Sequence, residues 1–168
     1  MPQAQDELEL YAEYGITAEK AQVLEVEAGN VALAFLALFV NTDRISPEER
    51  EMYRGIVDDV NRKTLGALLK SIRTLARFDD ALLKIVDEAL ERRNYLAHRF
   101  FPTHNFAIFS DAGRQEMIAE LRDIQMKLDR AHAALSAISS ALLKFRGGVP
   151  SPDEFAKKRM TEGKRLRL

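Results

Sequence analysis

Apolar residues recur at helical spacing along almost the whole chain. The clearest stretch runs from Asp111 to Phe145, where Leu121, Ile124, Leu128, Ala131, Leu135, Ile138 and Leu142 step by three and four residues. That rhythm puts one continuous stripe on one face of a helix. No window shows the two-residue alternation and β-branched enrichment of a half-buried strand. The pattern predicts an all-α fold, a single-domain up-and-down helical bundle of four to five main helices over residues 1–147.

Turn and capping residues suggest where the helices begin and end. A short acidic helix near Asp6 to Glu13 is expected to stop at Gly15. A second is expected to start at Thr17, a good capping residue, and to run to Phe39 or Asn41. Ser46-Pro47-Glu48-Glu49 combines a capping serine, a proline at the first helical position and a glutamate three residues after the cap. The helix it opens runs to about Val60. Another follows from Thr64 to Ala76, either as a separate helix or as the far half of a kinked one. Asp79 caps the next, with Phe78 placed to staple onto Leu83. That helix is expected to stop before Pro102. After a loop from Pro102 to Ser110, the long helix from Asp111 ends at Gly147-Gly148. Residues 148–168 differ in kind. They carry Lys157, Lys158, Arg159, Lys164, Arg165 and Arg167 and read as a basic tail holding at most a short helix.

Composition narrows the chemistry. A chain of 168 residues that is 46% hydrophobic can bury one sizeable core. It has 25 basic and 26 acidic side chains, so no net charge draws the whole molecule toward nucleic acid or an anionic membrane. Cysteine is absent, which removes disulfides, thiolate metal sites and a cysteine nucleophile. No carboxylate and histidine spacing suggests a metal site, and no glycine-rich loop suggests a nucleotide cradle. No cofactor is therefore expected. The longest apolar run, Val31 to Val40, is ten residues, about half the roughly 20 that a membrane span needs. No membrane association is expected, and the cytoplasm is the expected location. The same run is apolar all round, so it is buried either among its own helices or in a dimer interface.

Three histidines remain: His98, His104 and His132. The helix carrying His98 has the inward stripe Leu82, Val86, Ala89, Arg93, Leu96, Phe100. Arginine is its one charged member, and a charge there must be paired or border water. Asn94 and His98 stand beside it, four residues apart on one face. Imidazole moves protons near neutral pH, and guanidinium holds phosphoryl oxygens in a fork. The set suits metal-free phosphodiester cleavage, with Arg93 steadying transition-state charge. It also suits a structural network, with Arg93 paired to a bundle carboxylate such as Glu88, Glu91 or Asp123 and His98 at an interface.

Arg93-Asn94-Tyr95-Leu96-Ala97-His98 resembles the Arg-x4-His signature of HEPN domains, over roughly residues 17–146. Those domains are small helical bundles with the motif late in the chain. The resemblance implies a homodimeric, metal-independent endoribonuclease, with His98 as acid and base, Arg93 on the phosphate and Asn94 as the polar neighbour. It implies attack by the ribose 2′-hydroxyl, and a role as a toxin or in defence against phage, with an antitoxin or other protein partner. In one toxin branch a tyrosine stands two residues after the histidine and is modified by a partner enzyme. Here that residue is Phe100, so such control is not available. Other HEPN domains are catalytically silent and act in protein–protein interaction, dimerisation or regulation, which stands as the alternative.

RNA contacts are expected from Arg92 and Arg99 beside the motif and from Lys70, Arg73 and Arg77. These last three, with Lys63, lie along one side of their helix in a segment, Asn61 to Arg77, with no acidic residue. A solvated helix face would show the same pattern. The basic tail has both readings and a third, docking on an acidic partner. His104 reads as a loop residue or a second site histidine, and His132 as a packing residue.

Overall fold

The computed structural model describes residues 2–38 and 46–145. Six α-helices pack into an all-α bundle: α1 (Pro2–Ala37), α2 (Pro47–Arg62), α3 (Leu65–Leu75), α4 (Asp80–His98), α5 (Phe100–Thr103) and α6 (Asp111–Phe145). A 3₁₀ turn at Ala107–Phe109 leads into α6, and no strand occurs among the described residues. The basic tail and Gly147-Gly148 lie outside the described residues.

α1 and α6 are each about 50 Å long at helical rise and form the main interface. Arg122 pairs with Glu9 and Glu13, Lys20 with Asp129, and Ser139 donates to Glu27. Both partners advance together, so the first and last long helices run parallel. α4 runs against both: Tyr14 reaches Leu96 while Glu25 reaches Arg93, and Glu120 reaches Tyr95 while Glu88 reaches Lys127. The core lies between these three and α3. It comprises Leu10, Leu24, Val31, Leu65, Ile72, Val86, Leu96 and Phe100 together with the α6 stripe from Met117 to Leu135.

The expected break near Gly15 does not occur; α1 is continuous. Thr17 caps nothing. Its side chain is fully buried, donates to the Glu13 carbonyl at 2.7 Å and accepts from Gln125 Nε2 at 3.0 Å. Packing along α6 outweighs a glycine penalty of about 1 kcal/mol.

The other helix starts follow the sequence. Thr64 accepts from Ala67 N and caps α3, separating it from α2, and Asp79 accepts from Ala81 N and caps α4. Phe78 packs edge-on against Phe35 of α1, with ring centres 6.2 Å apart. The end of α4 comes earlier than proline alone would set it. Arg99 leaves helical geometry (φ −131°, ψ −12°), and the chain restarts as α5 with Pro102 in its first turn, where no N–H is needed. The turn sends Phe100 into the core against Tyr14, Tyr95, Phe101 and His104.

In the apolar run, Val31, Ala32 and Ala34 are buried and Leu33 and Phe35–Leu38 are half-buried. The exposed apolar side chains of α1 lie earlier, at Leu8, Tyr11, Ile16, Val23 and Val26. No described helix is long and apolar enough to cross a membrane.

Candidate functional site

Arg93 stands where the stripe puts it, facing inward from α4 between the buried Ala89 and Leu96. Its side chain is 24% exposed, and one guanidinium nitrogen donates to Glu25 Oε1 of α1 at 2.7 Å. The same carboxylate oxygen accepts the Leu65 backbone N–H, in the first turn of α3, at 3.2 Å. One carboxylate thus ties three helices together. The partner is none of Glu88, Glu91 and Asp123. Arg93 faces α1, whereas Glu88 and Asp123 meet Lys127 on the α6 side.

A second guanidinium nitrogen donates to Asn94 Oδ1 at 3.2 Å. Tyr14, Ala18, Ala21, Gln22, Glu25, Arg93, Leu96 and Ala97 line a groove of about 140 Å³ between α1 and α4. Arg93 and Glu25 are its charged members, so the groove is not strongly basic.

His98 is the last residue of α4, about 7.5 Å further along the helix axis than Arg93. It is exposed and makes no hydrogen bond or ion pair with the described residues. It does not line the Arg93 groove. Arg99, just beyond, is also exposed and unpaired.

Arg92 points the other way. Its charge is felt by Tyr95 and by Lys127 of α6, and its Nε is buried with no partner. It therefore does not share the Arg93 groove. Lys70 and Arg73 on α3 and Arg77 just beyond it are exposed, and Arg73 pairs with Asp87 of α4. The outer face of α4 adds exposed Asp80 and Glu91, which dilute that basic track.

His104 is no plain surface residue. Its Nε2 lies 2.5 Å from Glu120 Oε2, and Tyr95 Oη stands 3.4 Å from both. Burial, followed by the Glu120 charge, pushes the Tyr95 phenol above its ordinary pKa against an opposing bond from Thr103. The cluster lies on the α6 side of α4, pinning the α5 turn. His132 is half-buried on α6. Among the described residues no group of three or more carboxylates and histidines is placed to hold a metal ion.

Sequence reasoning missed Glu25, although a signal was present. Ala21, Glu25, Ala28 and Ala32 form an inward stripe on α1 with one acidic member. That stripe complements the α4 stripe with its one arginine. Compared with protein-family models, with curated proteins and with solved structures, the chain matches none.

Proposed function

We propose that the chain is a metal-independent endoribonuclease of the HEPN type, acting as a cytoplasmic homodimer in a toxin or defence role. One observation carries the reading. Arg93 lines a groove and donates to Asn94, and His98 on the same helix is exposed and unpaired at its end.

The chemistry follows from those groups. Neutral His98 takes the proton of a ribose 2′-hydroxyl, and the oxygen attacks the adjacent phosphorus. Arg93 steadies the added charge on the phosphoryl oxygens, and Asn94 keeps the guanidinium oriented. The bond from phosphorus to the 5′-oxygen breaks. The leaving oxygen takes a proton from an imidazolium, which in a dimer is supplied by the motif of the second copy. The products are a 2′,3′-cyclic phosphate and a 5′-hydroxyl end.

The Arg93–Glu25 ion pair favours a second reading, a catalytically silent bundle that binds a protein partner. Cleavage of varied RNAs in chelator, comparing the wild type with His98→Ala, separates the two. Activity lost in the variant supports the ribonuclease. Equal inertness leaves the silent bundle, and equal activity removes His98 from the chemistry and overturns the ribonuclease as drawn.

A further inference from the structure

We infer that Glu25 is a built-in competitor of the substrate phosphate for Arg93, so a lone phosphate binds weakly and the site fills only with RNA that makes further backbone contacts. This rests on the reading of Arg93 as the phosphate-holding group.

Carboxylate and phosphate present a guanidinium with the same pair of acceptor oxygens. Glu25 Oε1 already takes one of those positions, 2.7 Å from an Arg93 nitrogen. The contact is not sealed in the core, since the two side chains are 24% and 26% exposed. The groove of about 140 Å³ opens on both groups. One water needs about 10–15 Å³ of such space, so the groove has room for a phosphoryl group several waters in size.

Glu25 also has somewhere to go. Its Oε1 has a second donor, the Leu65 N–H at 3.2 Å. It forms part of the wall of a second cleft, about 240 Å³, whose lining includes Asn30, Asn61 and Lys63. A carboxylate turned from Arg93 faces this cleft and the Lys63 cation in its wall. Meanwhile Asn94 still orients the guanidinium.

The consequence is a threshold. A single phosphate exchanges one anion on Arg93 for another and gains little. An RNA that makes further backbone contacts gains more than the exchange costs.

The test uses the full-length protein and a fluorescent 2′-O-methyl oligoribonucleotide, which binds but lacks the attacking hydroxyl. Glu25→Gln removes the charge and keeps an acceptor for Leu65 N–H. It is expected to bind the probe roughly three- to tenfold tighter than wild type. Its salt dependence is expected to steepen by about one released counterion, because Arg93 no longer has an internal partner. The gain disappears in Glu25→Gln combined with Arg93→Ala. Glu25→Asp, which keeps the charge but shortens the reach, gives a smaller gain and guards against a poorly folded glutamine variant.

Unchanged or weaker binding by both folded variants overturns the inference. His98-dependent cleavage by wild type alongside such unchanged binding sinks the competitor and spares the ribonuclease. Arg93-dependent tightening with no cleavage by any variant does the reverse. Absence of binding by wild type and both Glu25 variants sinks both.

Discussion

Glu13 and Gln125 lock the two longest helices together. Gln125 Nε2 donates to Glu13 Oε2 at 2.7 Å, and Arg122 donates to the other carboxylate oxygen at 2.8 and 2.9 Å. The same amide reaches the buried Thr17 hydroxyl at 3.0 Å. This node sets the register of α1 on α6, and through α1 it places Glu25 opposite Arg93.

Acid should loosen that node. The Gln125 bond, then the Arg122 bond and charge, lower the Glu13 pKa below its ordinary 4.5. The stabilisation is complete above the unfolded value and fades as pH falls through the folded one, because the unfolded chain takes up the proton first. Denaturant unfolding of wild type and Glu13→Gln between about pH 6 and about pH 3 isolates this carboxylate from the rest. Wild type should lose more stability than the variant over that range. Equal losses would remove Glu13 from the account.

Gly15 lies inside α1, and a methyl group built there meets nothing within 4 Å. Gly15→Ala should therefore raise stability by about 0.5–1 kcal/mol, from lower unfolded-state entropy and better helix propensity. A thermal melt reads it directly. A fall in Tm would instead restore the break that glycine suggests in the sequence.

Gly113 carries the opposite expectation. A Cβ on this buried residue would collide with the Ala107 backbone, carbonyl oxygen included. The 3₁₀ turn is held there by Arg114, which donates to the Ile108 carbonyl at 2.8 Å and pairs with Asp111. Gly113→Ala must move the backbone of this junction. A loss of about 1–3 kcal/mol is expected in denaturant unfolding.

How much of this was legible follows from which interactions are local. The α3, α4 and α6 starts are written within a few residues, in Thr64, Asp79 and the stripe after Asp111, and they lie where the sequence puts them. The continuity of α1 is not legible in this way, because the local signals Gly15 and Thr17 are overruled by Gln125, more than a hundred residues away. The same holds at the candidate site. Arginine at position 93 is legible as an inward charge, since its own helix supplies the periodicity. Its partner is not, because nothing within α4 says whether the stripe faces α1 or α6. His104 was similarly opaque, its environment being Glu120 on another helix.

His98 and Phe100 offer the sharpest contrast between an exposed, unpaired side chain and one committed to the fold. His98 is exposed and unpaired, so His98→Ala should change Tm little while abolishing any RNA cleavage. Phe100, two residues on, is fully buried among Tyr14, Tyr95, Phe101 and His104. Phe100→Ala should cost about 3–5 kcal/mol by opening a cavity under the α5 turn. Cleavage by Phe100→Ala should then fall with the folded fraction and recover at low temperature, whereas loss in His98→Ala should persist at every temperature. A His98→Ala protein as destabilised as Phe100→Ala would assign the histidine to packing and leave the proposed ribonuclease without its proton carrier.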